Sequence, residues 1–399
     1  MPLPSLRFCI PTLLLLVLLS SFGSRSLRAE ETAAPGFTYS LFDGKTLAAW
    51  NIENDCEAAV ENGLLLLKSG DGWLRSDLQY ADFKLHVEWK ALQAANYDAG
   101  IYIRTAAEGK PFPKPSYQIN LQQGKEGNIG TLAGASSSGL VKPAGEWNAF
   151  DITVVGDTVA VAINGKPAYK TSGLERALGY IGFQVEVPKG GQFQIRNVQI
   201  TELGSKSLFN GKDLTGWEGA GQPAENCWRV VDGLLQCTGE KGPWIRSLEE
   251  YGDFNFRLEY QLDPGANSGV YVRVPRNGSH HRKDEQEGPA GFEVQILDDA
   301  HEKYRTLKDY QYSASVYDIA GANPRVSRPA GEWNVLEINC LGGHVTTTHN
   351  GKIVVDIDEE RNPLLKLRER KGYLGLQNHS SVVNFRNVRI GPALEYDVR

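Results

Sequence analysis

The stretch KPAGEWN, residues 142–148, returns as RPAGEWN at residues 328–334. Six consecutive residues are identical, and each stretch contains one of only eight tryptophans in the 399-residue chain. Because a chance match of this composition is improbable, the sequence indicates two tandem copies of one domain. The flanks extend the match, since SLFDGKTLAAW (residues 40–50) corresponds to SLFNGKDLTGW (residues 207–217) and the order of later matching segments is kept.

The first residues match neither copy and have the pattern of an export signal. Arg7 precedes the apolar run LLLLVLLSSF (residues 13–22), and Ala29 is the small residue expected before a cleavage site. We therefore expect a signal peptide at residues 1–29, with an uncleaved membrane anchor as the alternative. The protein is then periplasmic or extracellular, with no stable membrane insertion after cleavage. The remaining chain is expected to form domains at residues 37–203 and 204–393.

The charge of the mature chain disfavours polyanionic partners. Removing residues 1–29 takes away Arg7, Arg25 and Arg28 and no acidic residue, so the formal charge changes from −6 to −9. This sign argues against nucleic acid and anionic membranes as partners. The sequence does not indicate an oligomeric state.

Four of the five cysteines follow the expected signal peptide, and export would let disulfides persist between them. Cys227 and Cys237 flank a hairpin-like segment. A three-residue turn would bring them face to face, whereas a two-residue turn would place them on opposite faces and favour buried thiols. No cysteine or histidine spacing is typical of zinc. A divalent metal ion is permitted by the carboxylates but is not indicated, and no motif requires another cofactor.

Alternation of apolar and polar residues over short runs predicts an all-β chain. FKLHVEWKA (residues 83–91), FNFRLEYQL (residues 254–262) and GFEVQILD (residues 291–298) alternate in this way, and turn pairs containing glycine separate such runs. Helical periodicity is limited to short segments such as NPLLKLRERKG (residues 362–372). This many half-buried strands favours two tandem β-sandwiches with a polar concave face, although periodicity leaves a barrel open.

The ordered set LFNGKDLTGW, FEVQILDD, RPAGEWN and GYLGLQNHSSVVNFRNVRI resembles the 3-keto-disaccharide hydrolase family. The resemblance covers residues 207–390 strongly and residues 40–200 more loosely. It implies two tandem concanavalin A-like jelly rolls and an exported carbohydrate-active enzyme that acts on glycosides oxidised at carbon 3. No single motif is a catalytic signature, so the order of the segments makes the match specific.

A keto group at carbon 3 acidifies the proton on carbon 2, so a general base can remove it and the enolate can expel the aglycone from carbon 1. The site then needs an acid for the leaving oxygen, and donors or a metal over the enolate. Alternation places Phe292, Val294 and Ile296 on one strand face and Glu293 and Gln295 on the other. Glu293 is therefore the expected base, although a solvated outer glutamate would show the same pattern.

The segment LQNHSS places Gln377, Asn378 and His379 where a strand gives way to a loop. We expect His379 to act as an acid, a base or a metal ligand, with an exposed or structural histidine as the alternative. A further set of polar residues is expected to bind the substrate, namely Glu259, Arg273, Gln295, Asp298, Tyr317, Gln377, Asn378 and Arg386.

Two charged stretches are expected to be solvated. The loop NGSHHRKDEQEGPAG (residues 277–291) contains adjacent His280 and His281 and is more typical of exposed surface than of a metal site or a lid. The run RERK (residues 368–371) has the pattern of exposed surface.

The first copy differs at the candidate site. SYQINLQQG (residues 116–124) aligns with GFEVQILDD, so Gln118 occupies the position of Glu293, and Glu186 aligns with His379. Because a glutamine cannot accept a proton at physiological pH, the first copy is expected to lack the base. Three functions remain open at this stage. They are a keto-sugar lyase or hydrolase with its site in the second domain, a non-catalytic lectin-like protein, and a cell-surface interaction protein.

Overall fold

Strands dominate the computed structural model, which describes residues 1–2 and 35–396. The expectation of a signal peptide therefore falls outside the described residues, apart from Met1 and Pro2. The residues described from 35 onward belong to one compact unit. In this part of the chain no helix has the length and apolar character needed to cross a membrane. The predicted all-β class is confirmed.

The first copy consists of eleven strands. Their bounds are β1 (Gly36–Ser40), β2 (Trp50–Glu61), β3 (Leu64–Tyr80), β4 (Phe83–Ala91), β5 (Gly100–Thr105), β6 (Tyr117–Asn120), β7 (Asn148–Val155), β8 (Thr158–Ile163), β9 (Lys166–Ser172), β10 (Gly179–Glu186) and β11 (Phe193–Leu203). The four-residue helix α1 (Val187–Gly190) lies between β10 and β11.

The second copy consists of thirteen strands. Their bounds are β12 (Lys206–Ser207), β13 (Trp217–Gly219), β14 (Trp228–Val231), β15 (Leu234–Thr238), β16 (Ile245–Tyr251), β17 (Phe254–Leu262), β18 (Asn267–Val274), β19 (Phe292–Leu297), β20 (Trp333–Leu341), β21 (His344–His349), β22 (Lys352–Asp358), β23 (Gly372–Leu376) and β24 (Val382–Gly391). Helix α2 (Pro363–Lys366) precedes β23, and short 3-10 turns lie at Ala224–Asn226, Glu302–Tyr304 and Asp309–Gln311.

The second copy is a sandwich of two antiparallel sheets. One has the order β14-β15-β24-β17-β20-β21-β22, with β12 paired to β24, and the other has the order β13-β16-β23-β18-β19. A single apolar core draws on both sheets, with Phe256 from the larger one and Val270 and Phe292 from the smaller one. The strand alternation buries these side chains between the layers, as the sequence pattern predicts.

The first copy joins its two layers into one eleven-stranded sheet, which differs from the expected pair of separate sheets. The 17-residue strand β3 pairs with β11 near its start and with β10 along its second half, so it runs through both layers. Gly70 in β3 has a φ of +80°, and a side chain there would collide with the backbone of Asp55. A residue without a Cβ lets the strand turn between layers at this point.

The repeated PAGEWN segment serves the scaffold. In the second copy the guanidinium of Arg386 lies 4.0 Å from the ring centre of Trp333. Glu259 accepts hydrogen bonds from Arg386 Nε and Asn387 Nδ2, both at 2.6 Å. The first copy contains the same arrangement, formed by Trp147, Arg196, Asn197 and Glu88. Because both copies have this cluster, its residues stabilise the repeated fold.

A buried ionic network lies between the two copies. Glu202 accepts hydrogen bonds from Nε and Nη2 of Arg389 at 3.0 and 2.7 Å, and Nη1 of Arg257 lies 3.0 Å from its other oxygen. Burial opposes ionisation of Glu202, but the two guanidinium groups lower its pKa to about 2. Arg257 also pairs with Glu337. Such a network favours one arrangement of the copies, because a shifted arrangement that kept these charges buried without their partners would be strongly destabilised.

Candidate functional site

The floor of the candidate site is the outer face of the smaller sheet in the second copy. Strand β19 sends Phe292, Val294 and Ile296 into the core, and Glu293 and Gln295 to the opposite side. All five side chains are buried, but the two polar ones lie at the bottom of a cavity of about 910 Å³. The alternation of this strand therefore places a carboxyl group in a recess of the size that holds a small ligand.

Three segments between strands form the walls of this cavity. They are residues 275–291 between β18 and β19, residues 298–332 between β19 and β20, and residues 359–371 between β22 and β23. Each is longer than its counterpart in the first copy. The side chains that line the cavity from these segments include His280, His281, Arg282, Lys283, Lys308, Tyr310, Gln311, Tyr317, Asp318, Leu364 and Arg368.

Glu293 is the most perturbed carboxyl group of the cavity. Only 4% of the surface of Glu293 is exposed. Burial, which is the largest effect, raises the pKa of Glu293 to about 8, with a further increase from Asp318 and an opposing effect from the amide of Gln377. A carboxyl group with such a pKa is largely protonated at neutral pH, and its ionised form is a stronger base than an ordinary carboxylate.

His280 is the histidine beside Glu293. Its Nε2 lies 3.4 Å from Oε2 of Glu293, and its Nδ1 lies 2.9 Å from the carbonyl oxygen of Gly278. A carbonyl can only accept, so Nδ1 donates to Gly278 and the neutral ring has an unprotonated Nε2 towards Glu293. Burial lowers the pKa of His280, which favours this neutral form. The protonated Glu293 can therefore donate to the imidazole.

The floor beneath this pair is tightly organised. The ring of Tyr271 stacks on His280 with a centroid distance of 4.6 Å, and its hydroxyl accepts a hydrogen bond from Gln377 Nε2 at 3.0 Å. Gly269, on the neighbouring strand β18, leaves the space that the carboxyl group occupies, since a side chain there would collide with Oε1 of Glu293. The position of the carboxyl group thus depends on a residue without a side chain.

Aromatic and charged groups line the wall opposite the floor. His281 Nδ1 lies 2.8 Å from Oδ2 of Asp318, and its ring makes an edge contact with Tyr317 at a centroid distance of 5.7 Å. The hydroxyl of Tyr317 accepts a hydrogen bond from Gln311 Nε2 at 2.6 Å. Tyr310 makes an edge contact with Tyr317. These rings and polar groups provide both apolar surface and hydrogen-bonding groups to a ligand.

Half of the site residues predicted from the sequence line this cavity, namely Glu293, Gln295, Tyr317, Gln377 and His379. His379 lies at the exposed rim, and the histidine next to Glu293 is His280 instead. The other predicted residues, Glu259, Arg273, Asp298, Asn378 and Arg386, do not line the cavity. Glu259 and Arg386 belong to the tryptophan cluster described above.

Arg273 is a scaffold residue rather than a substrate ligand. It is 2% exposed, with a φ of +51°, and its guanidinium donates to the carbonyls of Gly252 and Gly342 and to Asp253. The matching Arg104 of the first copy is buried with the same backbone conformation. All three guanidinium nitrogens of Arg273 are therefore occupied in holding loops to the strand.

Asp298 and Asn378 also stabilise loops. Asp298 Oδ2 accepts a hydrogen bond from the backbone N–H of Gly265 at 2.7 Å. Asn378 lies between two thiols, since its Nδ2 is 3.2 Å from Sγ of Cys227 and its Oδ1 is 3.3 Å from Sγ of Cys237. Both cysteines are free and buried, and the intervening hairpin has a two-residue turn. The structure therefore contains buried thiols rather than the disulfide considered above.

Several residues of the cavity were not expected from the sequence. His280 and His281 come from a loop expected to be solvated, and their ring centres lie 4.1 Å apart over the cavity. Arg368 comes from a run expected to be exposed, yet it is 6% exposed and lines the cavity. The greater length of both segments in the second copy was the available signal, because the added residues form the walls.

The residues present do not indicate a metal site. Within residues 35–396 no group of three or more His, Cys, Asp or Glu side chains is placed to hold a metal ion. The polar groups of the cavity instead form hydrogen-bonded pairs, such as His281 with Asp318.

The first copy retains the floor but not the carboxyl–imidazole pair formed by Glu293 and His280. Gln118 occupies the position of Glu293 opposite Tyr102, and it donates to Gln184, the counterpart of Gln377. Gly100 leaves space for Gln118 as Gly269 does for Glu293. The loop at residues 106–116, which corresponds to the loop of His280, contains no histidine. The geometry therefore places an amide in the first copy where the second copy has the carboxyl group of Glu293.

The second copy is a β-sandwich whose polar cavity contains a perturbed carboxyl group and aromatic side chains. These features are typical of β-sandwich proteins that bind or act on small ligands. The model of the 3-keto-alpha-glucoside-1,2-lyase-like domain matches residues 38–201 and 204–391. The two matches together cover most of the chain, so the protein belongs to this family and contains two tandem copies of its domain.

Individual relatives are more distant. A 3-keto-disaccharide hydrolase of Bacteroides thetaiotaomicron is 26% identical over 240 residues, which is 51% of this chain and 83% of that protein. A solved structure of a candidate glycosyl hydrolase from Parabacteroides distasonis is 29% identical, with a TM-score of 0.40, and the alignment covers 47% of this chain and 98% of the other. A second such structure from the same organism is 24% identical, with a TM-score of 0.39 and coverages of 48% and 94%.

Proposed function

We propose that this protein is a carbohydrate-acting enzyme that cleaves 3-keto-glycosides in the cavity of the second copy, with Glu293 as the general base. The observation that carries the proposal is the buried carboxyl group of Glu293, which has a pKa of about 8 and lies 3.4 Å from Nε2 of His280. Family membership supports the substrate class, since the matching model describes a 3-keto-alpha-glucoside-1,2-lyase-like domain.

The reaction begins at carbon 2 of the oxidised sugar. Ionised Glu293 takes the proton that the neighbouring keto group has acidified, and the electron pair of the broken C–H bond forms an enolate. Collapse of the enolate breaks the bond between carbon 1 and the glycosidic oxygen, and that oxygen takes up a proton as the aglycone leaves. Addition of water to the resulting double bond puts a hydroxyl on carbon 1 and a proton on carbon 2. The net reaction is then hydrolysis, whereas release before hydration makes it a lyase reaction.

The pKa of Glu293 suits this role. A base works best when its pKa is close to the working pH, because it is then both strong and ionised in a useful fraction of molecules. An ordinary carboxylate would be fully ionised at neutral pH but would be a weaker base. The burial that raises the pKa to about 8 therefore increases the strength of the base while leaving part of it ionised near neutral pH.

His280 can accept the proton after Glu293 has taken it from carbon 2. Its Nδ1 is bound to the carbonyl of Gly278, so its Nε2 can accept the proton that Glu293 has gained. The resulting imidazolium can donate to the leaving oxygen, which is attached to the carbon next to the one that lost the proton. We assign His280 as the proton shuttle for this reason, and we assign the exposed His379 to the rim of the site.

Proton NMR of a 3-keto-glucoside in heavy water tests the proposal. The full chain is compared with Glu293→Gln and with Gln118→Ala, which changes the matching position of the first copy. Each protein is assayed with added divalent metal and with a chelator. We expect release of the aglycone and exchange of deuterium at carbon 2, both lost in Glu293→Gln and kept in Gln118→Ala. Binding of keto-sugars without release or exchange would contradict the enzyme and favour a carbohydrate-binding protein.

Export is a further part of the proposal. It is supported by the charged start, the apolar run and Ala29 in the first residues. N-terminal sequencing of the protein secreted or released from the periplasm tests it, and we expect the mature chain to begin at Glu30. Recovery of the intact N-terminus from membranes would instead indicate an anchor.

A further inference from the structure

One end of the cavity contains a buried arginine whose guanidinium nitrogens Nε and Nη1 make no hydrogen bond, although the charges of Asp318 and Glu287 act on it. Arg368 is 6% exposed, and its Nε and Nη1 are both buried and make no hydrogen bond to any described residue. A buried guanidinium is almost always paired, because removing an unpaired charge from water costs several kcal/mol. An arginine that lines a cavity and lacks an internal partner is therefore expected to meet an anion from outside.

The chain builds the position of Arg368 specifically. Asn362 caps helix α2 by accepting hydrogen bonds from the N–H groups of Leu364 and Leu365, and the N–H of Arg368 donates to the carbonyl of Leu365. Arg282 from the loop between β18 and β19 donates to the carbonyl of Leu367 at 3.0 Å. Two segments that are longer in the second copy thus hold each other and direct Arg368 to the cavity.

The charge of the cavity differs in sign from that of the chain. Four cationic side chains, Arg282, Lys283, Lys308 and Arg368, line it together with only two carboxyl groups, Glu293 and Asp318. The carboxylate of Asp318 already pairs with His281, and the formal charge of the whole chain is −6. A local excess of positive charge on an acidic protein favours an anionic ligand at this place.

We propose that Arg368 forms a subsite for a glycoside that carries a compact oxyanion, such as the carboxylate of a uronic acid or a sulfate ester. This inference rests on the cavity being the substrate site and adds a substrate class to the proposed function. The planar guanidinium is suited to bind two oxygens of such a group at once. The subsite selects the glycoside, while Glu293 acts on it.

Calorimetric titration of the full chain with three unoxidised sugars tests the subsite. The probes are methyl β-D-glucuronide, the 6-sulfate ester of methyl β-D-glucoside, and neutral methyl β-D-glucoside. We expect at least one anionic sugar to bind roughly tenfold to a hundredfold more tightly than the neutral one, as a charge-assisted hydrogen bond provides. The tighter anionic probe then identifies the carboxylate or the sulfate as the preferred group.

Variants assign the preference to Arg368. Arg368→Gln should abolish it, and Arg368→Met should do the same. Arg370→Gln is the matched control, because Arg370 is two residues away, exposed, and paired with Glu359 at 2.8 Å. The Tm of Arg368→Gln should not fall below that of the control, since the variant removes an unpaired buried charge.

Several results would overturn the inference. They are equal affinities for the three sugars, no binding of either anionic sugar, or a preference that survives in Arg368→Gln. Because the probes are not oxidised at carbon 3, binding is measured independently of cleavage. A chain that prefers the anionic sugar but cleaves no keto-sugar would support the subsite and refute the proposed function. A chain that cleaves keto-sugars but shows no preference for the anionic sugar would support the proposed function and refute the subsite.

Discussion

Replacing Glu293 with glutamine should change the pH dependence of stability in a direction that follows from its burial. The pKa of this carboxyl group is about 8 in the folded protein, compared with an ordinary value of 4.5. Between these two pH values the folded state retains a proton that the unfolded state has lost. The free energy of unfolding therefore falls as pH rises through this range, and the loss is complete near pH 8.

The magnitude follows from the same difference. One pH unit of difference in pKa corresponds to about 1.4 kcal/mol, so the wild-type protein loses on the order of 5 kcal/mol between pH 4.5 and pH 8 through this group. About 3 kcal/mol of this is already lost at pH 7. Glu293→Gln has no titrating group at this position, and so its stability relative to the wild type should increase steadily from pH 5 to pH 8.

Urea unfolding followed by tryptophan fluorescence at several pH values measures this difference. Other titrating groups are shared by both proteins and cancel when the two free energies are subtracted. Gln118→Glu is the matched control, because it introduces a carboxyl group at the corresponding position of the first copy. Its stability relative to the wild type should fall from pH 5 to pH 8, opposite in direction to Glu293→Gln, and the change should be smaller because Gln118 is only half-buried. If the free energies of unfolding of the wild type and Glu293→Gln differ by the same amount at every pH from 5 to 8, the raised pKa of Glu293 is refuted.

Three further predictions concern the site and the contact between the copies. The kcat/KM for a 3-keto-glucoside should rise with pH and level off above about 8, because Glu293 acts in its ionised form; a profile that falls over this range would contradict a base. Gly269→Ala should lower kcat roughly tenfold to a hundredfold by displacing the carboxyl group, whereas Gly100→Ala in the first copy should leave kcat unchanged. Glu202→Gln should destabilise the protein by about 3–5 kcal/mol because it leaves the buried Arg389 without its carboxylate partner, and thermal unfolding should show a much smaller change for the exposed control Glu249→Gln; equal effects would contradict a buried ionic network.

The floor of the site could be predicted from the sequence because it follows the two-residue period of a strand. That period alone sends Glu293 and Gln295 away from the core, and the structure places both at the bottom of the cavity. The walls could not be predicted in this way, since loops have no period. His280 reaches Glu293 only because residues 275–291 fold back over the sheet. Arg368 is the one buried residue in a run whose neighbours Arg370 and Lys371 are exposed.

Two residues expected from the sequence to bind substrate, Arg273 and Glu259, do not line the cavity. Each has a counterpart in the first copy, Arg104 and Glu88. Because both copies contain these side chains but only the second has a carboxyl group at the position of Glu293, the side chains are better explained as parts of the shared fold. The hydrogen bonds of Arg273 to backbone carbonyls and of Glu259 to Arg386 agree with this explanation.

The two copies therefore separate scaffold from site. The tryptophan clusters and the buried loop-holding arginines recur, and they stabilise the sandwich wherever it occurs. The floor also recurs in part, because Gly100 and Gln184 keep the recess in the first copy. What the first copy lacks is a carboxyl group at the position of Glu293, together with the longer segments that supply His280 and Arg368. A recess with an amide at this position can still accommodate a ligand, but Gln118 cannot take a proton from carbon, so the proposed chemistry is expected in the second copy and not in the first.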